Sequence, residues 1–145
     1  MKKVIYNACY GGFSLSKEAC QRYWEIKGQK VWIEDDEKYP SFGIWTVWLV
    51  PPEERMKQKS TEEFNSMSMK ERIAYNEAYS AQSWYDCDVD RHDPVLVQVV
   101  EELGDKAGGQ FAKLRIAEVS GAYRITEYDG YESVETPDSC DWITP

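Results

Sequence analysis

Four groups of residues combine types and spacing that chemistry can use. Gly11, Gly12, Ser14 and Ser16 lie between an apolar strand pattern and a helix start, where backbone N–H groups and hydroxyls can cradle a phosphate or carboxylate. Neither nucleotide-binding fingerprint, the P-loop or GxGxxG, is met, so the alternative is glycine serving a tight connection. Tyr75, Tyr79 and Gln82 share one face of a helical stretch; rings four residues apart can grip a ligand, or form a half-buried boundary with wet hydroxyls. Cys9 precedes the glycines, and His92 is the single histidine. A helix N-terminus can lower a thiol pKa and an imidazole can act as its base, but no oxyanion motif accompanies them. Asp86, Asp88, Asp90, His92 and Asp93 resemble the opening of an oxygen-rich metal loop. An EF-hand would need glycine where Arg91 stands and glutamate where Val97 stands, so the stretch is read as a linker ending in a helix cap, with no metal assigned.

The elements that must position these groups are marked in the sequence. Lys3–Cys9 reads as a strand, Ser16 as the N-cap of a helix running to about Lys27, and Gly28 as its close. Gln29–Ile33 is the next strand. The resulting β-α-β unit has the size at which a right-handed crossover places two parallel strands in one sheet. Glu34–Tyr39 is a charged turn. Gly43–Val50 is a strand with apolar residues on both faces, Trp45 and Trp48 among them, so it is either covered on both sides or part of an interface.

Two capping boxes, Ser60 with Glu63 and Ser68 with Glu71, announce two helices. The second runs from Met69 to about Trp84, with a stripe of Ala74, Ala78 and Ala81 suited to close packing. Asp93 and Pro94 open a further helix, whose apolar stripe is Val95, Leu96, Val99, Val100 and Leu103 and whose end is Gly104. Leu114–Val119 reads as a strand. Asp129-Gly130 is a type I′ hairpin signal, and it sets Tyr128 opposite Tyr131, Thr126 opposite Ser133, Ile125 opposite Val134 and Arg124 opposite Glu135. The Ile125 face is expected to meet the helix. The predicted class is α+β: a single domain over residues 1–145 with a mixed β-sheet, an N-terminal β-α-β unit, a helical insertion at 51–91, a C-terminal helix plus β-hairpin, and a tail at 138–145.

Composition narrows the function. The formal charge of −9 argues against binding a nucleic-acid backbone, which needs a Lys/Arg patch. No apolar run approaches a membrane span and no secretory leader pattern is present, so a cytoplasmic protein is expected. Four scattered cysteines suggest free thiols rather than a disulfide framework or zinc site. Six Trp and ten Tyr exceed the needs of a core this size, and these types favour interfaces and ligand pockets, a homo-oligomer included.

Two stretches carry a resemblance: NACYGGFSLSKEA, and the run from AYNEAYSAQSWYD through DPVLVQVVEELG to YRITEYDGYESV. They resemble an uncharacterised family of small proteins from bacteriophage, prophage and bacterial genomes. The charged turn and the tail fit that family less well. The resemblance brings no activity with it. It implies work in the host cytoplasm, by binding, in the manner of accessory proteins that counter host defences.

The expected function is therefore a non-enzymatic binding protein that sequesters a small anionic, nucleotide-like ligand through Gly11, Gly12, Ser14, Ser16, Tyr75, Tyr79 and Gln82, without a cofactor. The alternative is an acidic interaction module that occludes a basic site on a host protein, using the carboxylates of Glu34–Glu37 and Asp86–Asp93. A small enzyme using Cys9 with His92, or a metal at Asp86, Asp88 and Asp90, is the third.

Overall fold

The computed structural model describes residues 1–38 and 43–139; Tyr39 of the charged turn, Cys140 and most of the 138–145 tail lie outside the described residues. The protein is α+β. Its chain forms two compact units, one made of the chain up to Gly28 together with the chain from Asp86 onward, the other of Gln29–Tyr85.

In the first unit the organising element is β1 (Lys2–Asn7), where Val4, Ile5 and Asn7 are all fully buried. It pairs antiparallel with β5 (Leu114–Val119), Ile5 opposite Ile116. Helix α1 (Lys17–Lys27) starts where the sequence places it. Ser16 Oγ accepts from the Ala19 N–H, and Gly28, in the left-handed region at φ 77°, returns its N–H to the last turn, a conformation open to glycine at little cost. Helix α4 (Pro94–Leu103) is capped by Asp93 and buries Leu96, Val99 and Val100, each worth about 1.5–3 kcal/mol of removed apolar surface.

The two helices pack on each other and are cross-linked by polar groups. Tyr23 Oη donates to Asp93 at 2.7 Å, Lys27 pairs with the same carboxylate at 3.0 Å, and the Arg22 Nε donates to Glu102 at 2.8 Å. The Arg22 guanidinium, helped by Gln98, holds the Glu102 carboxyl down at about 2.

The hairpin of β6 (Arg124–Tyr128) and β7 (Tyr131–Glu135) has the register read from its turn, all four expected pairs included. Arg124 bonds Glu135 at 2.8 Å. The hairpin's inward anchor is Glu132 rather than Ile125. Glu132 is buried and accepts from the Asn7 N–H of β1, while Ile125 remains half-buried.

In the second unit β2 (Trp32–Asp35), β3 (Trp45–Trp48) and β4 (Ser83–Trp84) form an antiparallel sheet in the order β2-β3-β4. Only Val47 of β3 is buried; Trp45 and Trp48 are half-buried. Helices α2 (Thr61–Asn65) and α3 (Met69–Ser80) begin at the predicted boxes, with Ser60 Oγ accepting from Glu63 N and Ser68 Oγ from Glu71 N.

Several expectations are corrected. The sheets are antiparallel rather than one mixed sheet, and β1 and β2 form no parallel pair. β2 instead reaches β3, its near neighbour in sequence, where the loop to be closed is short, and Glu34 and Asp35 belong to that strand rather than to a turn. Helix α3 ends at Ser80, because Ser83 and Trp84 are drawn into pairing with Trp48 and Val47. The stripe of Ala74, Ala78 and Ala81 is exposed rather than packed.

Candidate functional site

The turn from Tyr10 to Ser16 is held by its own chain. A Cβ on Gly11 would stand 2.1 Å from Phe111 Cβ and 2.2 Å from the Phe111 carbonyl oxygen, so Gly11 is required by close backbone approach. Gly12 is needed for its φ of 86°. The tip of the β6–β7 hairpin also lies on this turn: a Cβ on Gly130 would meet the Tyr10 carbonyl oxygen at 2.3 Å and Gly12 N at 2.5 Å.

Part of the polar set expected to receive an anion has internal partners. The Leu15 N–H donates to the Asp86 carboxylate at 2.7 Å, the Ser16 N–H to the Ala107 carbonyl at 2.9 Å, and Ser16 Oγ donates to the Lys106 carbonyl at 2.7 Å while capping Ala19. The Ser14 carbonyl accepts from Gly109 N at 3.0 Å. A carboxylate of the chain itself thus stands where a bound anion would.

Behind the turn lies a buried polar cluster that sequence reasoning missed. Arg91 forks onto Glu132 at 2.6 and 2.9 Å and stacks on Phe13, 3.5 Å from its centroid. Glu132 also accepts from Asn7 N at 2.8 Å. The Asn7 side chain donates to the carbonyls of Cys9 and Gly130 and accepts from Lys113 N. Every one of these groups is satisfied, as a stable interior requires. The alternation along β7, which turns Glu132 inward with Val134, was the available signal.

The remaining sequence-marked residues of this unit do not converge. His92 Nδ1 lies 2.7 Å from Tyr123 Oη and 2.8 Å from Asp90, and no hydrogen bond or ion pair joins it to Cys9 among the described residues. Cys20 is fully buried, and burial, with Asp86 nearby, pushes its thiol up. Asp86 is committed to Leu15, Asp88 Oδ1 faces the Cys87 thiol at 3.8 Å, and Asp90 faces His92. Among the described residues no group of three or more potential ligands could hold a metal. Two shallow clefts of about 420 and 300 Å³ share Lys2 and His92. In the larger one Lys3 is paired with Glu101, and in the smaller one the Tyr123 hydroxyl is committed to His92.

The second unit differs. Tyr75 and Tyr79 line a cleft of about 260 Å³ with Phe64, Lys59, Ser60 and Asn76. The Tyr75 ring lies 6.1 Å from Phe64 and 5.9 Å from Tyr79, centroid to centroid, the spacing of interacting aromatic rings. Lys59 fixes the mouth: its backbone N–H donates to Tyr75 Oη at 2.9 Å and its ammonium sits 5.8 Å from the Tyr75 centroid. The ammonium makes no ion pair among the described residues. Arg72 crosses the Phe64 ring at 5.4 Å while donating to the Phe64 and Asn65 carbonyls. In a chain of net charge −9, this wall carries the Lys59 cation, half-buried rings, hydroxyls and amides, the groups that bind a base and its phosphate.

Gln82 stands apart from that cleft. It is buried, accepts from Met56 N at 2.5 Å, donates to the Tyr79 carbonyl at 3.2 Å, and offers its own carbonyl to Leu49 N at 2.8 Å. Its role is to tie the end of α3 to β3. Of the seven residues singled out from the sequence, Tyr75 and Tyr79 share a cleft, Gln82 supports the helix carrying them, and Gly11, Gly12, Ser14 and Ser16 belong to the other unit. Comparison of the chain with known protein families, with curated proteins and with solved structures yields no match.

Proposed function

We propose that the protein is a non-enzymatic binding protein that sequesters a small anionic, nucleotide-like ligand in the cleft between α2 and α3. One observation carries the reading: three aromatic rings, Phe64, Tyr75 and Tyr79, meet around a cleft whose edge holds the ammonium of Lys59, which has no ion-pair partner among the described residues. A base stacks on the Tyr79 and Tyr75 rings, and its phosphate lies against Lys59 and the Ser60 hydroxyl. A volume of about 260 Å³ falls just below the usual range of ligand sites, from about 300 Å³ upward, which limits the ligand to a single nucleoside phosphate. The reading is one of capture, because stacking rings, a cation and hydroxyls are the groups that hold a base and its phosphate. In the cell this amounts to lowering the free concentration of a nucleotide signal, the mode suggested by the phage-type resemblance.

The test is a thermal-shift panel of nucleoside mono-, di- and cyclic phosphates with the wild-type chain and Tyr79→Ala. Ligand at a hundred times Kd stabilises by about 2.7 kcal/mol, so one nucleotide class raises Tm in the wild type and not in Tyr79→Ala. A panel without a shift, or a shift unaffected by the substitution, removes this reading.

The acidic interaction module keeps one supporting feature. Tyr10, Phe111, Tyr128 and Tyr131 are exposed together around the hairpin tip, Tyr10 and Tyr131 with centroids 5.3 Å apart. Its carboxylate clusters are largely committed within the chain, Glu34 to Arg55, Asp86 to Leu15 and Asp93 to Tyr23 and Lys27. Retention of a host protein that is lost on Tyr128→Ala, with no nucleotide effect, would transfer the function to this surface.

A further inference from the structure

The two clefts of the first unit have Lys2 and His92 in common, and no other residue. At about 420 Å³ the larger one falls within the range of small-molecule sites, roughly 300–1,000 Å³. Met1, Pro94 and Val97 give it apolar surface. Of its two lysines, Lys3 is paired with Glu101, whereas the Lys2 side chain makes no hydrogen bond or ion pair among the described residues. His92 is held from one side. Its Nδ1 lies 2.8 Å from Asp90 Oδ1 and 2.7 Å from Tyr123 Oη, and the Tyr123 ring meets it edge-on with centroids 5.7 Å apart. Both polar contacts use Nδ1, so Nε2 has no partner among the described residues.

We infer that Lys2 and His92 hold the head of a small carboxylic acid whose apolar tail lies along Met1, Pro94 and Val97. The carboxylate accepts from the Lys2 ammonium and from the Nε2–H of a His92 imidazolium, whose charge Asp90 balances through Nδ1. Bonds between ionised partners are the strong ones. Charge selects the class of ligand. Glu101 offsets Lys3 and Asp90 offsets the imidazolium, which leaves the single positive charge of Lys2. That matches one carboxylate, and it falls short of a doubly charged phosphate. The net charge of −9 does not oppose binding, because at physiological salt charges more than about 8 Å away are largely screened. The nearest groups decide. A ligand with a head and no tail would leave the apolar lining wet, and a tail without a charged head would leave Lys2 and Nε2 unused. The site is independent of the nucleotide cleft, which belongs to the second unit.

Amide chemical-shift titrations with octanoate, acetate and 1-octanol in mildly acidic buffer test this. Octanoate moves the amides of Lys2, His92, Val97 and Glu101, while acetate, which lacks the tail, and 1-octanol, which lacks the charge, each bind about tenfold more weakly or worse. Lys2→Gln and His92→Gln, both at exposed positions, each weaken octanoate binding about tenfold through loss of a charge-assisted bond. Lys113→Gln, at an exposed lysine that lines neither cleft, leaves it unchanged. Octanoate that moves none of these amides up to millimolar concentration, 1-octanol that binds as tightly as octanoate, or a loss as large in Lys113→Gln as in Lys2→Gln overturns the proposal.

Discussion

Each unit contains an arginine that forks onto a glutamate and stacks on an aromatic ring. In the first, Arg91 grips Glu132 over Phe13; in the second, Arg55 grips Glu34 at 2.9 and 2.7 Å over Trp48, 4.2 Å from its ring centroid. The side chain of Glu132 is 6% exposed and that of Glu34 43%. The same pairing is thus an interior fastening in one unit and a surface clasp in the other. The contrast extends to the two regions marked for ligand binding. After the glycine turn the Leu15 and Ser16 N–H groups are taken by Asp86 and Ala107, while the tyrosines of α3 keep their rings and the Lys59 ammonium toward a cleft. A helix N-terminus marks an anion site only when the chain leaves its donors unclaimed.

The largest effect that separates the two regions is on stability. Arg91→Ala leaves the Glu132 carboxylate buried without its partner and is expected to cost about 3–5 kcal/mol. The matching Arg55→Ala costs about 1 kcal/mol, because water screens Glu34. Urea denaturation of the two variants measures the difference, and equal costs would break the comparison.

Glycine substitutions in the turn come next. Gly11→Ala forces a methyl into the Phe111 backbone and is expected to cost about 3 kcal/mol. Gly12→Ala meets no atom within 4 Å and bears only the left-handed backbone, about 1–2 kcal/mol. If the two cost the same, close approach is not what fixes Gly11.

A smaller effect follows from Asp93. Burial opposes its ionisation, but hydrogen bonds from Tyr23, Lys27 and the Val95 N–H outweigh that and hold its carboxyl below the usual carboxylate value. A depressed folded pKa stabilises above the unfolded value, near 4, and that contribution is lost as pH falls below it through the folded value. Asp93→Asn keeps a competent cap but loses the charge. It is expected to be less stable than wild type by about 1–2 kcal/mol at pH 7, with the gap closing in strong acid. A pH series of thermal midpoints shows whether the gap closes.

The smallest structural effect accompanies a clear binding effect. Lys59→Ala, at an exposed position whose Nζ makes no ion pair among the described residues, should leave stability within about 0.5 kcal/mol while weakening nucleotide binding about tenfold, or ~1.4 kcal/mol.

What could be read in the sequence was local. Ser16, Ser60, Ser68 and Asp93 cap the helices named for them, and Asp129-Gly130 fixes a hairpin register that holds at all four expected pairs. These signals sit within a few residues of their effect. Strand partnership does not. β1 pairs with β5 more than a hundred residues away, and β2 turns to β3 and β4, choices set by which long-range burial wins. The site was half legible for the same reason. The four-residue spacing of Tyr75 and Tyr79 predicts a shared face, but nothing near Gly11 announces that Phe111 and Asp86 will close the turn. The Arg91–Glu132–Asn7 cluster escaped because its three members are brought together only by tertiary packing.

The most direct test of the central claim is an amide chemical-shift map of the isotopically labelled chain titrated with the nucleotide that gives the largest thermal shift. The account predicts perturbations at Lys59, Ser60, Asn76 and Tyr79 with Gly12 to Lys17 unmoved. Perturbations concentrated on Gly12 to Lys17, with the α3 cleft silent, would contradict it.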